Sequence, residues 1–111
     1  TDPEYRGILY ISKDRLLPIV QTTVDAGLQY TAHSVGDGAI TTLLDVYEEV
    51  NKKTPIQKTR PSITHSNFMT KDAVERCACR SALGVDALIN RRTLSERSEL
   101  VRSPMACVHL L

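Results

Sequence analysis

The sequence has few aromatic residues: no tryptophan, one phenylalanine and four tyrosines among 111 residues. A core built from it must rely on aliphatic side chains, and a chain of this length buries only about 60–70% of the surface that its unfolded form exposes. Hydrophobic residues still make up 41% and charged residues 24%, the balance of an ordinary soluble domain. This composition excludes a disordered tail, a collagen-like repeat and a multi-domain enzyme.

Long apolar runs are also missing. No stretch approaches the roughly 18 consecutive apolar residues of a membrane helix, and the first four residues lack the basic and apolar regions of a secretory signal. We therefore predict no membrane partner. The chain also begins without methionine, so we interpret it as processed or as a piece of a longer protein.

Cysteine is scarce and odd in number. Cys77, Cys79 and Cys107 cannot all pair within one chain and are too few for a disulfide scaffold, which favours a reducing compartment and a cytoplasmic location. On a helix, the Cys-x-Cys spacing of the first two would point their thiols about 200° apart, so they could not share a metal ion. We expect one of them to be buried and the other exposed.

Charge is divided unevenly along the chain. Residues 1–50 carry three basic and eight acidic side chains, whereas residues 51–111 carry eleven basic and five acidic ones. A basic half could bind phosphates through counterion release. It contains a single aromatic residue, Phe68, and no recognisable nucleic-acid-binding motif. These features argue against a nucleic-acid partner.

Helical patterns alternate with short β-prone runs. Ser12 and Gly27 are suited to the start and end of a helix reaching Ala26, although Pro18 requires either a kink or a start near Leu17. Residues 28–32 then form a predicted strand that ends at His33. The clearest helix follows, with Asp37 as its predicted N-terminal cap. Its apolar residues recur at spacings of three and four: Ala39, Ile40, Leu43, Leu44, Tyr47 and Val50.

The pattern repeats in the second half. Residues 62–65 form a short predicted strand ending in His65, residues 70–83 a helix, and residues 85–89 a third strand. This alternation predicts parallel strands joined by right-handed helical crossovers, an α/β fold. His33 and His65 are 32 positions apart. A (β/α)₈ TIM barrel of about 250 residues has roughly 31 residues per unit, so the fold class we predict is a partial barrel of this type.

His33 and His65 are the candidate metal ligands. The carboxyl ends of consecutive parallel strands lie at one edge of a sheet, with neighbouring strands about 4.8 Å apart, so two imidazoles placed there could reach one ion. Neutral imidazole is a common zinc ligand, and a catalytic site needs about three protein ligands and an open position for water. The alternative is that each histidine is hydrogen-bonded locally at its strand end.

Two segments carry a family resemblance. One contains His33-Ser34-Val35-Gly36-Asp37, followed by a helix with Leu44-Asp45-Val46-Tyr47, and the other is Arg60-Pro61-Ser62-Ile63-Thr64-His65. They resemble the fifth and sixth strand regions of metal-dependent amidohydrolases, and more narrowly the subgroup that includes N-substituted formamide deformylases. The resemblance covers about residues 12–79. Thr64 departs from it, because many members have glutamate at this position.

The resemblance implies a function for the parent protein. It makes His33 and His65 ligands of one or two divalent metal ions, most often zinc, in a hydrolase that cleaves non-peptide carbon–nitrogen bonds of small-molecule amides. The family's other ligands and its catalytic aspartate have no counterpart in this sequence. We therefore interpret residues 1–89 as a barrel fragment and residues 90–111 as an atypical tail that departs from the family, and we expect the isolated chain to be inactive.

An alternative is a non-enzymatic truncated module that is stable only with a partner. An open half-barrel would expose sheet edges and apolar helix faces, which favours self-association. Other residues are expected to have mainly structural roles. Arg60 could meet an anionic substrate group, but we expect it to pair with an acidic neighbour at the rim. We expect the acidic residues of the second helix to form a solvated face, and Tyr10 and Phe68 to pack or to line a pocket above the strand ends.

Overall fold

A computed structural model describes residues 3–4, 8–77, 86–89 and 108–110. Helices and strands alternate along the chain. In order, they are α1 (Lys13–Asp25), β1 (Thr31–Ser34), α2 (Asp37–Lys53), a 3₁₀ turn (Gln57–Thr59), β2 (Ser62–His65), α3 (Lys71–Cys77), β3 (Asp86–Ile89) and β4 (Val108–Leu110).

The four strands form one parallel sheet in the order β1-β2-β3-β4. In the first ladder Thr31 lies opposite Ser62 and Ser34 opposite His65. The predicted α/β class with consecutive parallel strands is therefore confirmed, and closure into a barrel stays a prediction. Within the described residues, no helix is long and apolar enough to cross a membrane.

Helix α1 begins at Lys13, as its N-cap predicted, so the alternative start near Leu17 is wrong. The backbone carbonyl of Ser12 accepts hydrogen bonds from the amides of Arg15 and Leu16 at 3.1 and 3.0 Å. Pro18 lies inside the helix. After the last turn, Gly27 adopts φ +74°, a conformation that favours glycine, and no atom lies within 4 Å of the position its Cβ would take.

The first strand begins later than the predicted range of 28–32. It spans Thr31–Ser34, so His33 is its third residue rather than the residue after its end. The cause lies at the helix terminus: the amide of Leu28 donates to the carbonyl of Thr23 at 3.1 Å, which ties residue 28 to α1. Because its amide is bonded to the helix, Leu28 does not pair with β2.

Helix α2 provides more core residues than any other element among the described residues, six of fourteen, and contacts α1, α3 and β1. Its buried residues are Ile40, Leu43, Leu44, Val46, Tyr47 and Val50. Gly36 takes the N-cap position, so the prediction that Asp37 caps the helix is wrong in position: Asp37 is the first helical residue. Its Oδ1 still accepts a hydrogen bond from the amide of Gly38 at 2.8 Å, which adds negative charge to the helix N-terminus.

The two faces of the β1–β2 ladder differ. Ala32 and Ile63, which are paired, pack with the helical core. On the other face, the hydroxyl of Ser62 donates to Thr31 Oγ1 at 2.8 Å, and the Thr31 and Thr64 hydroxyls lie 3.2 Å apart. The helices therefore cover one face, and the opposite face carries a row of hydroxyl groups.

Helix α3 is fastened to α2 through Arg76. Its Nε donates to Glu48 Oε1 and its Nη2 to Asp45 Oδ1, both at 2.7 Å. Asp45 and Glu48 are therefore ion-paired with Arg76, and their side chains stay 40% and 41% exposed, in agreement with the expected solvated acidic face. Helix α3 spans Lys71–Cys77, and residues 78–83 of the predicted range 70–83 lie outside the described residues.

The last two strands lie on either side of the predicted boundary at residue 89. Strand β3 (Asp86–Ile89) agrees closely with the predicted range 85–89. Strand β4 (Val108–Leu110) pairs with β3 inside the segment that we interpreted as an atypical tail, where no strand was predicted. The division of the chain at residue 89 itself stays a prediction.

Candidate metal centre

Two histidines from adjacent strands meet at the carboxyl edge of the sheet. His33 Nδ1 lies 2.9 Å from His65 Nε2, and the two ring centroids are 4.9 Å apart with an angle of 35° between the ring planes. One nitrogen donates a hydrogen bond and the other accepts it, depending on the tautomers. The convergence of these side chains, predicted from strand order, is confirmed.

An unusual backbone conformation at His65 allows this contact. Side chains along a strand alternate between faces, so His65 would lie on the face of its neighbour Ile63, opposite to His33. Its φ of 77°, followed by 49° at Ser66, breaks the alternation at the strand end. Such angles are uncommon for non-glycine residues, and backbone strain of this kind is concentrated at functional sites.

The chain after the two histidines is held by hydrogen bonds. The amide of Ser66 donates to the carbonyl of Ser34 at 3.0 Å, and the amide of Phe68 donates to the carbonyl of Val35 at 3.1 Å. The buried Ser66 hydroxyl also donates to the carbonyl of Ile63 at 3.2 Å. The left-handed turn at His65 is therefore fixed by its neighbours.

The distance between the ring nitrogens is compatible with one shared ion. Two nitrogens that each lie about 2.05 Å from a metal are about 3.3 Å apart at a tetrahedral angle and about 2.9 Å apart at a right angle. The separation of 2.9 Å between His33 Nδ1 and His65 Nε2 matches the second value. A shared tetrahedral ion would therefore require the two nitrogens to move about 0.4 Å apart and both rings to turn towards it.

The described part of the chain supplies only this pair. No group of three or more His, Cys, Asp or Glu side chains in the described residues is placed to hold a metal ion. Because catalytic zinc sites commonly have about three protein ligands, the pair fits part of such a site. Metal ligation by His33 and His65 remains a prediction.

An open cleft of about 1120 Å³ begins beside His33. Tyr10 and Phe68 both line it, so of the two alternatives for these residues the structure supports the pocket and not simple packing. The cleft is also lined by residues after β1, including Val35, Gly36 and Asp37. Tyr30, just before β1, lines it as well, so the cleft runs along β1 and reaches the end of the sheet where parallel α/β folds bind ligands.

Other residues singled out in the sequence have structural roles. Cys77 is buried and burial raises the pKa of its thiol from 9.0 to about 12, so it agrees with the predicted buried cysteine, while Cys79 lies outside the described residues. The carbonyl of Arg60 accepts a hydrogen bond from the side-chain amide of Gln29. The predicted rim pair of Arg60 remains a prediction.

Sequence reasoning missed two features near the site. One is the row of hydroxyls formed by Thr31, Ser62 and Thr64, which the alternation of polar residues within two short strands could have revealed. The other is the left-handed backbone of His65, for which the sequence contains no glycine or asparagine signal at that position.

Comparisons with known proteins identify the fold. An uncharacterised metal-dependent hydrolase from Pyrococcus furiosus superposes with a TM-score of 0.70 at 20% identity, over 98% of this chain and 25% of that one. A second, from Pyrococcus horikoshii OT3, gives 0.63 at 25% identity, over 90% of this chain and 19% of that one. This chain thus spans about a quarter or a fifth of these hydrolases and has the fold of that part.

Sequence comparisons add no family assignment. No protein-family model matches the chain, and no curated protein matches it significantly. The similarity to metal-dependent hydrolases is therefore one of fold, and the narrower resemblance to formamide deformylases stays a prediction.

Proposed function

We propose that the chain contributes two metal ligands, His33 and His65, to the active site of a metal-dependent hydrolase. The observation that carries this proposal is the 2.9 Å separation of their ring nitrogens at the carboxyl edge of the sheet. The fold supports it, because two metal-dependent hydrolases contain a segment of the same architecture.

Each part of the site has a distinct task. When bound, a divalent cation supplies Lewis-acid chemistry, because it polarises a carbonyl and makes water a nucleophile near neutral pH. The imidazoles of His33 and His65 would hold this ion. The hydrogen bonds that link Ser66 to Ser34 and Phe68 to Val35 keep the strand ends together. They thereby preserve the spacing of the rings.

The finer proposal names the bond and the metal. We propose that the substrate is a small-molecule amide, cleaved at a non-peptide carbon–nitrogen bond, and that the ion is zinc. The support is the resemblance of the segments around His33 and His65 to amidohydrolases, and the preference of zinc for imidazole nitrogen. The hydrolase requires further ligands that the described residues do not include.

Metal titration tests the proposal. Cobalt(II) added to the 111-residue chain should bind with a stoichiometry of about one and give the visible absorbance of a nitrogen-ligated ion, and zinc should displace it. His33→Ala and His65→Ala should each abolish this binding.

The third histidine of the sequence provides the matched control. His109 lies in β4, three strands away from β1, so His109→Ala should leave cobalt binding unchanged. Binding that survives both His33→Ala and His65→Ala would remove the proposal. It would favour the alternative, a non-enzymatic module.

A further inference from the structure

Strand β1 lies at one edge of the described sheet and has an open side. The carbonyls of Tyr30 and Ser34 accept hydrogen bonds from the chain of β2 and the residue after it, both at 3.0 Å. Successive backbone groups along a parallel strand point to alternate sides, so those of Ala32 also face β2. Those of Thr31 and His33 face away from β2, and no described strand pairs with them. This edge can therefore accept another strand.

The chain also contains an apolar run that has no backbone pairing. The run comprises residues 8–11, four large hydrophobic residues that are all exposed. Their backbone groups make no hydrogen bond within the described part of the chain. Isoleucine and tyrosine are typical strand residues, and the run has the same length as β1, four residues. Residues 8–11 therefore have the composition and the free backbone groups of a strand without a partner.

The open edge and the apolar run lie along the same cleft. Residues 8–11 line this cleft together with the last three residues of β1. Among the described residues, eight large hydrophobic side chains are exposed, and six of them line it: Ile8, Leu9, Tyr10, Ile11, Val35 and Phe68. Such a concentration of exposed apolar surface marks an interaction site. A strand laid in the cleft would bond to β1 and cover these side chains at the same time.

A second copy of the chain suits this cleft. A two-fold interface uses the same surface on both copies, so that surface must supply both a strand and the edge that receives it. The cleft supplies both. Asp37 is an acidic residue of its lining, whereas Arg6 and Lys13 flank the apolar run, with no acidic residue between them. This difference in charge favours the apolar run as the occupant over an acidic segment of another protein.

We propose that two copies of the chain associate through β1, with residues 8–11 of each copy lying along the open β1 edge of the other. The exchange gives hydrogen-bond partners to the backbone groups of Thr31 and His33 and covers the exposed apolar side chains of both clefts. The inference is independent of the proposed function, because it uses the backbone of His33 and not its imidazole.

Sedimentation of the metal-free 111-residue chain tests the association. A reductant in the buffer prevents disulfide bonds between copies. With rising concentration, the mass should reach twice 12.3 kDa and no more, because a two-fold interface closes on itself. A mass of 12.3 kDa at every concentration up to the solubility limit, or growth beyond two copies, would overturn the inference.

Matched variants separate the apolar run from general hydrophobic association. Leu9→Lys should weaken association more than about tenfold, because a charge replaces an apolar side chain that the exchange covers. Ile19→Lys is the control: Ile19 is 48% exposed against 50% for Leu9, but it lies on α1 outside the cleft. It should leave association unchanged. Circular dichroism checks that both variants fold, and equal weakening by the two would contradict the inference.

Amide hydrogen exchange locates the interface. The amides of Thr31 and His33 should become protected as the dimer forms, whereas those of Ala32 and Ser34 face β2 and should be protected at every concentration. Thr31→Pro removes an amide on the open side, where proline is tolerated, and should weaken association. Thr31→Ala keeps this amide and should not. If Thr31 and His33 exchanged equally fast in monomer and dimer, another surface would hold the copies together and the inference would be wrong.

Discussion

Two residues at the candidate centre have left-handed backbone conformations. His65 and Ser66 have φ angles of 77° and 49°, which cost non-glycine residues about 1–2 kcal/mol each. The neighbouring hydrogen bonds hold this conformation in place. Part of the stability of the fold is therefore used to bring His65 to His33.

At Gly27 the cost of a positive φ angle can be measured separately, because a Cβ added there would meet no other atom. Gly27→Ala should lower the free energy of unfolding by about 1 kcal/mol, because alanine disfavours φ +74° although the space for its Cβ is open. Urea unfolding followed by circular dichroism measures the change. Gly27→Asn should be less destabilising, since asparagine tolerates the left-handed region. Equal stability of all three proteins would contradict this account.

The buried thiol of Cys77 makes stability depend on pH. Burial raises its pKa from 9.0 to about 12, so in the unfolded chain the thiol ionises at a pH where the folded chain keeps it protonated. Its contribution is complete below pH 9.0 and is lost as the pH rises towards about 12. The free energy of unfolding should fall by up to about 1.4 kcal/mol per pH unit in this range.

A comparison of slopes checks this expectation. Cys77→Ala should be less stable at neutral pH, because it leaves a cavity, but its free energy of unfolding should fall less steeply above pH 9. Cys79 and Cys107 are present in both proteins, so their ionisation does not affect the comparison. Parallel pH profiles for the two proteins would show that Cys77 does not carry the effect.

At the scale of the elements, Arg76 joins α3 to α2. Its guanidinium is hydrogen-bonded to Glu48 and Asp45 at 2.7 Å, and the bond to Glu48 is the main cause that raises the pKa of Arg76. Glu48→Gln should lower the free energy of unfolding by about 1 kcal/mol, since it weakens a charge-assisted hydrogen bond to a half-buried partner. Chemical unfolding measures the loss.

Glu49 is the matched control on the same helix. Its side chain is 42% exposed against 41% for Glu48, but its partner is the exposed Lys52 at 3.5 Å. Glu49→Gln should therefore change stability by less than about 0.5 kcal/mol. If the two substitutions had equal effects, the ion pairs of Arg76 would not be what holds α3 in place.

Tyr47 joins α2 to the sheet in a similar way. Its hydroxyl donates to the carbonyl of Ser62 at 3.0 Å and lies 3.4 Å from the carbonyl of Tyr30, and burial raises its pKa. These contacts lie at the beginning of β2 and just before β1. The helix therefore fixes the strands at the end opposite to the histidines.

Local signals predicted most elements. The helix ending before Gly27, the long amphipathic helix, and the strands ending at His65 and Ile89 all follow from capping residues and apolar periodicity. The start of β1 could not be predicted, because the chain at Leu28 stays bonded to Thr23 of the preceding helix. The types of the residues do not indicate which of the two hydrogen bonds, the one to the helix or the one to the sheet, is formed.

The site could be predicted only in part. Strand order brings His33 and His65 to the same edge, but alternation alone would place them on opposite faces. Their contact depends on a backbone angle at His65 that the sequence does not indicate. The partners of Arg76 were missed for a related reason, since the approach of α3 to α2 is set by packing and not by spacing along the chain.

At the scale of the whole molecule, the isolated chain should not turn over substrate. The described residues place two imidazoles together and no larger group of metal ligands, so a bound ion would be held weakly. With zinc present, amide hydrolysis by the 111-residue chain should not exceed that of zinc alone. A steady-state assay with an N-alkyl amide tests this, and activity that disappears in His33→Ala would contradict the prediction.

The same architecture determines which insertions the centre would tolerate in evolution. The spacing of the histidines is fixed by the ladder that pairs Thr31 with Ser62 and Ser34 with His65, and not by the number of residues between them. Extra residues at the exposed Gln57–Lys58 turn would lengthen a loop at the distant end of the strands and leave the ring contact intact. A single extra residue within Ser62–His65 would instead move every later side chain of that strand to the opposite face.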